Sequence, residues 1–382
     1  MRDAFRQMPS YGYGGLAERR SIASRWHIDV PLLLLLMSLT VFGLVVLYSA
    51  SGRSMEMVER QGMYFLIGYG VMLVLAQVRV DIMCRLSPWL YCCGIVLLIL
   101  VLVMGVGAKG ARRWLDFPGL PRFQPSELVK LFVPMTVSWY LGSRTLPPRF
   151  KYVLISCALV FVPAALIMKQ PDLGTSLLVI SAGLFALLLA GLQWRYIVGA
   201  GVLGVSAIPV AWMYLLHDYQ KRRVLTLLNP ESDKLGAGWN IIQSKTAIGS
   251  GGLHGKGWLE GTQSHLEFLP ESHTDFIIAV LGEEFGLIGV LALLSIYVLI
   301  IVRGLMIGMN AQDMFSRLLA GSITLTFFVY VFVNMGMVSG ILPVVGVPLP
   351  MVSYGGTAIV TLFAGFGLLM AIATARRRLT GL

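Results

Sequence analysis

Asp275, at the end of a long polar insertion, is the residue best placed to do chemistry in this chain. The insertion covers residues 217–272 and mixes charged, aromatic and glycine residues, whereas the chain around it is mostly apolar. Connections longer than about 12–15 residues are usually functional or disordered, and this composition favours an ordered, functional loop. An ionised aspartate can act as a general base at the rim of a cavity. The spacing equally allows Asp275 to stabilise the first turn of the next helix.

Two further acids, Glu283 and Glu284, follow inside the next apolar segment. If the helix starts at Asp275, a rise of about 1.5 Å and a turn of about 100° per residue place Glu283 roughly 12 Å deeper and about 80° around the helix. Asp275 and Glu283 are therefore not predicted to act as a matched pair of carboxylates on one atom. We interpret Glu283 as a support for polarity within the bundle.

A short basic loop between the third and fourth apolar segments indicates an anionic ligand. It contains Lys109, Arg112, Arg113 and Arg122, with Trp114 among them. Basic loops prefer the cytoplasmic side of a membrane, and this loop falls on the other side in the orientation derived below. Guanidinium groups bind phosphate oxygens in bidentate fashion, so a phosphate-bearing ligand is one interpretation. Anchoring of Arg and Trp at the membrane interface is the alternative.

Charged residues also open two apolar segments. Glu127 and Lys130 have i, i+3 spacing on a predicted helix, so they share a face and can form an ion pair. Charges within a span are costly and usually face a cavity or the bundle interior. The spacing leaves open whether this pair is purely structural. Asp172, which follows Gln170 and Pro171, is placed to cap a helix entered from the outer side.

A proline- and glycine-broken stretch, residues 342–350, separates the last two apolar segments, and Ser353, Tyr354 and two glycines follow it. Non-helical backbone at membrane depth is tolerated only where protein buries it or a cavity hydrates it. We therefore expect this stretch to line the same outward cavity as the basic loop and Asp275.

Several other patterns do not predict a site. The glycine run 249–257 lacks the first glycine and the Ser or Thr of a phosphate loop, and a tight turn is favoured instead. His254, His265 and His273, with Glu267 and Glu271, have no metal-like spacing, so no metal site is predicted. A divalent cation is left open as a cofactor. Cysteines in or beside apolar runs are interpreted as packing residues, and these are Cys84, Cys92, Cys93 and Cys157.

The elements that must position these residues are membrane-spanning helices. The chain has 382 residues, of which 57% are hydrophobic and only 13% charged. Soluble domains carry about 25% charged residues. Apolar runs of about 20 residues predict an all-α, polytopic membrane protein with about ten spans. The predicted spans lie near residues 30–50, 62–78, 86–106, 126–142, 152–168, 173–191, 195–216, 276–302, 317–338 and 353–374.

The positive-inside rule orients these spans with both termini in the cytoplasm. The net charge of +11 then needs no nucleic acid as partner, because basic loops lie against the anionic inner leaflet. We predict one transmembrane domain over residues 27–375, with basic cytoplasmic ends at 1–26 and 376–382. The segment 217–274 becomes a large extracytoplasmic loop between spans seven and eight.

The chain resembles the SEDS family (shape, elongation, division and sporulation) from about His27 to the last span. The motifs that carry this resemblance are Gly-Ala-Arg-Arg-Trp-Leu at 110–115, Phe-Gln-Pro-Ser-Glu at 123–127, Gln-Pro-Asp-Leu-Gly-Thr at 170–175, Gln-Ser-Lys-Thr-Ala-Ile-Gly-Ser-Gly-Gly at 243–252, Glu-Phe-Leu-Pro-Glu-Ser-His-Thr-Asp-Phe at 267–276, and Pro-Val-Val-Gly-Val-Pro-Leu-Pro at 343–350 with Ser-Tyr-Gly-Gly at 353–356. The stretch 258–264 favours the RodA-type branch over the FtsW-type branch. Trp239 and Ala358 depart from the family pattern, where Tyr and Ser are common.

The resemblance implies a peptidoglycan glycosyltransferase that polymerises lipid II on the outer face of the bacterial cytoplasmic (inner) membrane. It implies that Asp275 is the catalytic residue, and that a class B penicillin-binding protein and other elongation-machinery proteins are partners. The predicted substrate-binding residues are Arg113, Trp114, Gln124, Ser126, Glu127, Lys130, Asp172, Lys245, Ser353 and Tyr354. Among them, Arg113 and Lys130 are expected to stabilise a departing pyrophosphate.

Two other functions suit a membrane bundle with embedded charges. One is a flippase that moves lipid II across the bilayer, although its polar path would have to start at the inner leaflet and the charges here cluster in the outer half. The other is a non-enzymatic scaffold that activates the penicillin-binding protein. The sequence favours the polymerase over both.

Overall fold

The computed structural model of the chain describes residues 27–108, 111–116, 122–215, 218–233, 236–262 and 272–375, which form a helical bundle with one β-hairpin. A π-helical stretch, Ala211–Leu215, extends the helix Trp194–Val210, and a 3-10 turn, Pro230–Ser232, follows the helix Asp218–Leu228. The helices are α1 (Val30–Ala50), α2 (Met55–Ala76), α3 (Val80–Met104), α4 (Pro125–Gly142), α5 (Phe150–Met168), α6 (Leu173–Leu189), α7 (Trp194–Val210), α8 (Asp218–Leu228), α9 (Ala237–Gly251), α10 (Ile277–Asn310), α11 (Met314–Val338) and α12 (Gly356–Ala373).

Every predicted span coincides with one of these helices. In the part of the chain that the structure describes, 7 helices are long and apolar enough to cross a membrane. They are Val30–Ala50, Val80–Met104, Phe150–Met168, Trp194–Tyr214, Ile277–Asn310, Met314–Val338 and Gly356–Ala373. Helix α6 is apolar but shorter, and α2 and α4 are less apolar over their length. The expectation of a multi-pass helical membrane protein is therefore confirmed.

The bundle packs around α11, which is the most deeply buried of these spans. It contacts α4, α6, α10 and α12, and 72% of the residues in its most apolar stretch are buried inside the protein. One hydrophobic core joins α1, α2, α10, α11 and α12, and a second joins α3, α4, α5 and α6. Helix α7 has no buried residue, so it lies at the periphery of the bundle.

Helix α10 is broken at Gly286, where φ is 64° and ψ is −160°. As one straight helix its 34 residues would extend about 51 Å, well beyond a hydrocarbon core of about 30 Å. The break separates a short first helix, residues 277–285, from the longer apolar remainder. Residues 277–284 are all buried, so this short helix is enclosed by protein rather than exposed to lipid.

The segment that follows α9 is inserted into this break. Lys256 N and Gly257 N donate to the carbonyls of Glu283 and Glu284, each at 3.0 Å, and Leu287 N donates to the Gly252 carbonyl. These bonds replace the helical ones that the kink removes. A Cβ on Gly255 would lie 2.1 Å from the Glu284 carbonyl oxygen, so only glycine allows this approach. The tight turn favoured for the glycine run is therefore present.

Three sequence expectations are wrong in detail. The insertion is not loop throughout, because α8 and α9 occupy much of it. The fold is not purely helical, because Val106–Ala108 and Ala111–Trp114 pair as an antiparallel hairpin. Helix α10 starts at Ile277, not at Asp275, because the carbonyls of residues 273–275 accept hydrogen bonds from other segments instead of from the next helical turn.

Candidate functional site

A cavity of about 200 Å³ lies where the basic loop, the starts of α4 and α6, and the broken stretch before α12 come together. Six of the predicted substrate-binding residues line it: Arg113, Trp114, Gln124, Glu127, Lys130 and Asp172. Thr175, Leu178 and Tyr330 complete the helical side of the lining. Residues distant in sequence but predicted to share one cavity are therefore adjacent in the fold.

The mouth of the cavity is organised by Asp172. Its Oδ1 accepts from Thr175 N at 3.1 Å, which caps α6, while its Oδ2 accepts from Gln124 Nε2 at 2.8 Å. An Arg113 nitrogen lies 3.9 Å from the same Oδ2. The Arg113 guanidinium also donates to the carbonyls of Gln170 and Pro171. Asp172 thus caps a helix, as the sequence allowed, and also fixes a cation in the cavity wall.

Deeper in the cavity, Lys130 is held by two partners. Its Nζ lies 2.6 Å from Glu127 Oε1 and also donates to the Tyr330 hydroxyl. Glu127 Oε2 accepts from the Thr361 hydroxyl at 3.1 Å. Both members of the ion pair are buried. An ammonium has three N–H donors, so within the described residues one donor of Lys130 is left for a ligand. The ion pair therefore forms and also lines a cavity.

The broken stretch supplies the remaining wall of the cavity through residues 346–348 and 355–358. Gly346 has a φ of +80°, the left-handed region that favours glycine. Leu349 N donates to the Ser353 hydroxyl at 2.8 Å, and Gln61 Nε2 donates to the Ser353 carbonyl at 3.1 Å. One side chain of the stretch and one from α2 thus take up its backbone hydrogen-bonding groups, as an irregular segment inside a membrane bundle requires.

Asp275 lies in the turn just before α10, and its side chain is half-buried. Its Oδ2 lies 3.5 Å from the position that a Cβ on Gly346 would occupy, so the carboxylate lies next to a glycine of the cavity wall. Asp275 itself is not among the residues that line the cavity, so the expectation that it shares the lining with the basic loop is wrong in this detail. The turn itself is fixed through its carbonyls. Tyr354 N donates to His273 O, the Ser353 hydroxyl to Thr274 O, and Asn334 Nδ2 to Asp275 O.

The other four predicted site residues do not line this cavity. Ser353 and Tyr354 hold the turn before Asp275, so the structure gives them positioning contacts. Ser126 is buried at the start of α4, and its hydroxyl has no hydrogen-bond partner within the described residues. Lys245 is exposed on α9, where its side chain lies over Gly340. Substrate contacts for these four residues remain predictions.

Sequence reasoning missed Tyr330 and Asn334, the polar residues of α11 that reach the site. Tyr330 binds Lys130, and Asn334 binds the turn of Asp275. Both lie inside an apolar segment, where a polar side chain usually faces the bundle interior. That signal was available, but hydropathy alone does not say which neighbour such a side chain will meet.

No group of three His, Cys, Asp or Glu side chains that could hold a metal occurs in the described ranges. His265, Glu267 and Glu271 lie outside those ranges, as does Lys109, and of Arg112 only the backbone is described. Arg122 forms an ion pair with Asp116 at 2.8 Å instead of facing the cavity. Cys84, Cys92, Cys93 and Cys157 are free thiols on α3 and α5.

Comparison with known proteins places this arrangement in a family. The family model described as a cell cycle protein (FtsW, RodA, SpoVE) matches residues 30–378. This chain belongs to the SEDS family. Among SEDS proteins it is similar to the peptidoglycan glycosyltransferase MrdB of Escherichia coli (strain K12), with 53% identity over 362 residues, which cover 95% of this chain and 98% of the relative.

Two solved SEDS-like structures share the fold. A peptidoglycan synthase complex contains a chain that superposes with a TM-score of 0.81 at 30% identity, covering 92% of this chain and 98% of that one. The rod shape determining protein RodA of Thermus thermophilus superposes with a TM-score of 0.69 at 27% identity, with the same coverage of both chains. The RodA-type resemblance read from the motifs is confirmed.

Proposed function

We propose that this chain is a peptidoglycan glycosyltransferase that polymerises lipid II into β-1,4-linked glycan strands during cell elongation. Its similarity to MrdB, which carries that activity in its name, supports the proposal. The observation that carries the mechanism is the placement of Asp275. Its carboxylate lies against Gly346, and Gly346 lines the same cavity as Arg113 and Lys130. The proposed base therefore lies beside the wall of the cavity that the two cations line.

The reaction is an inverting displacement at the anomeric carbon of the donor. Lipid II carries its sugar on an α-linked pyrophosphate, whereas the product linkage is β, so a single in-line attack accounts for the change. The acceptor 4-hydroxyl oxygen bonds to the anomeric carbon as the bond from that carbon to the pyrophosphate oxygen breaks. Asp275 accepts the hydroxyl proton during the attack, and the pyrophosphate leaves with the bonding electron pair.

The cations act on the leaving group. Negative charge grows on the pyrophosphate as it departs, and donors already fixed in place stabilise that charge without reorganisation. Arg113 is fixed by Asp172 and by two backbone carbonyls. Lys130 is fixed by Glu127 and Tyr330. Because a pyrophosphate is a good leaving group, the mechanism needs no second carboxylic acid to protonate it.

The site faces the extracytoplasmic side in this proposal. The positive-inside rule supports about ten spans with both termini in the cytoplasm, and it puts residues 217–274 outside. The polyprenyl tail of lipid II stays in the bilayer, so the substrate enters laterally, between helices of the single domain 27–375. Residues 1–26 and 376–382 form basic cytoplasmic ends in this arrangement.

A class B penicillin-binding protein is the proposed partner, because glycan strands need a transpeptidase to crosslink them. The similarity to a chain of a peptidoglycan synthase complex supports an assembly of this kind. Other elongation-machinery proteins are further proposed partners.

Polymer synthesis by the purified protein with its partner tests the proposal directly. Supplied with lipid II in detergent, the wild type is expected to make glycan polymer. The Asp275→Asn variant is expected to make none while it stays folded and bound to the partner. Polymer from that variant would remove Asp275 from the mechanism.

The rival functions give different results in the same material. Absence of polymer from the wild type, together with measurable movement of lipid II across vesicle bilayers, would establish the flippase instead. Absence of both activities, with stimulation of the partner's transpeptidase, would establish the scaffold.

A further inference from the structure

We propose that Asn334 is a positioning residue that sets where the Asp275 carboxylate lies relative to the cavity wall. This inference rests on the proposed function, because it concerns the same reaction. Asn334 lies in α11 and its side chain is 0% exposed. Its Nδ2 donates to the Asp275 carbonyl at 2.9 Å and to the Val347 carbonyl at 2.8 Å. One amide therefore joins the turn that carries the acid to the loop that forms a cavity wall.

The two segments that Asn334 joins are the two whose separation matters for catalysis. Val347 directly follows Gly346, and Asp275 Oδ2 lies 3.5 Å from the position of a Cβ on Gly346. A shift of either segment would change the distance between the carboxylate and the space for the substrate. Misplacement by about 1 Å can cost a reaction about 100-fold in rate.

The hydrogen bond from Asn334 to the Asp275 carbonyl comes from a rigid element, helix α11. The neighbouring bonds to the turn, from Tyr354 N to His273 O and from the Ser353 hydroxyl to Thr274 O, start in the irregular loop itself. The bond to Asp275 instead starts in the most deeply buried span of the bundle. Asn334 therefore ties both the turn and the loop to a fixed reference.

The chemistry of the amide fits a role as a double donor. Its Oδ1 has no hydrogen-bond partner within the described residues, although the atom is buried. Leaving a buried polar atom unsatisfied costs free energy, so the amide is not optimised for stability. Both of its bonds go to the carbonyls that flank the site.

Steady-state polymerisation kinetics of Asn334→Leu test the proposal, because leucine keeps the approximate size and removes the donor. We expect the kcat to fall about 10- to 100-fold while the KM for lipid II stays within about twofold. The matched control is Ser322→Ala on the same helix. The Ser322 hydroxyl is equally buried and donates to the Ala182 carbonyl, away from the cavity. We expect this control to keep the wild-type kcat.

A chemical readout separates positioning from general damage. With Asp275 replaced by Cys and the four native cysteines replaced by Ser, a water-soluble maleimide reports how accessible position 275 is. We expect Asn334→Leu to change the labelling rate several-fold and Ser322→Ala to leave it unchanged. An unchanged kcat and labelling rate in Asn334→Leu, or an equal loss in Ser322→Ala, would overturn the proposal. If Asn334→Leu does not fold, Asn334→Ser, which keeps one donor, is measured against the same criteria.

The labelling measurement also distinguishes this proposal from the proposed function. A changed labelling rate in a protein whose wild type makes no polymer would keep Asn334 as the residue that positions the turn, and would reject the polymerase. A wild type that makes polymer, with no effect of Asn334→Leu on kcat or labelling, would reject only the positioning role.

Discussion

The short helix 277–285 has an acid near each end, and the two acids are held in opposite ways. At the far end, Glu283 is 0% exposed, and its Oε1 accepts from Lys256 Nζ at 2.7 Å and from both the backbone N and the hydroxyl of Thr262 at 2.9 Å. At the near end, Asp275 is half-buried; its backbone is fixed by Asn334, and its carboxylate borders a cavity wall.

The difference separates an acid held by structural contacts from the acid to which the proposed function assigns the chemistry. Three donors converge on one oxygen of Glu283, and all three come from the segment inserted at the Gly286 break. Its carboxylate therefore ties the segment that follows α9 to the bundle, which is more specific than the general polar support expected from the sequence. At Asp275 the main chain receives a hydrogen bond from Asn334, and the carboxylate lies next to Gly346 of the cavity wall.

Replacing each acid by its amide should give the largest difference between the two positions in activity and in stability. Asp275→Asn should lower the polymerisation rate by about 100- to 10,000-fold, because the amide cannot accept the hydroxyl proton, with little change in thermal stability. Glu283→Gln should lower the thermal midpoint in detergent and keep most of the activity of the folded protein. Equal loss of activity in the two variants would abolish the distinction.

Removing the cation beside Glu283 should destabilise the protein. Lys256→Met leaves a buried carboxylate without its ammonium partner, and because the Lys256 side chain is 30% exposed we expect a loss of about 2 kcal/mol in the free energy of unfolding. Thermal unfolding in detergent measures it. Lys151→Met, at an exposed position on α5, is the control and should change stability by less than about 0.5 kcal/mol. Equal losses of stability in Lys256→Met and Lys151→Met would show that Glu283 does not need the ion pair.

Strain in the loop beside Asp275 should have a moderate effect on activity. Gly346→Ala forces a left-handed alanine, with its methyl group in ordinary contact with Asp275 Oδ2 at 3.5 Å, so we expect the loop to shift and activity to fall about tenfold. Gly191→Ala imposes similar backbone strain at a φ of +83°, away from the cavity. It should lose stability and keep the kcat. A matching loss of kcat in Gly191→Ala would assign the effect to strain alone.

The smallest effect should come from Thr262→Val. This variant removes one of the three donors to Glu283 and keeps the other two, so we expect a loss of about 1 kcal/mol in stability with activity unchanged. The exposed Thr246→Val is its control. A loss of activity in Thr262→Val, with no change in stability, would show that the inserted segment acts on the reaction itself.

Helix positions could be predicted from the sequence because the bilayer imposes them. Segments such as 30–50 and 152–168 carry long apolar runs, and the structure has helices there. The helices Asp218–Leu228 and Ala237–Gly251 escaped prediction because they are polar and have no such run. The break at Gly286 escaped too, since one glycine leaves the hydropathy of an apolar segment unchanged, and its cause is a backbone contact with Gly255.

The charged residues of the candidate site could be predicted from the sequence, but the residues that position them could not. Arg113, Lys130 and Asp172 stand out because charge is costly near a membrane, and the family motifs add Asp275. Asn334 and Tyr330 act through contacts between distant segments, which one sequence does not reveal. The start of α10 was misplaced for the same reason. Donors from residues 334–354 bind the carbonyls of residues 273–275, which would otherwise accept hydrogen bonds within the helix.

The volume of the cavity has a consequence for how a strand lengthens. At about 200 Å³ it is smaller than the roughly 300–1,000 Å³ of pockets that enclose whole small molecules. Under the proposed function it has room for a diphosphate and the reacting carbon, while the peptide-bearing sugars stay at the outer mouth. Such an enzyme holds only the reacting part of the strand, so it can extend a polymer of any length without threading it through its own interior.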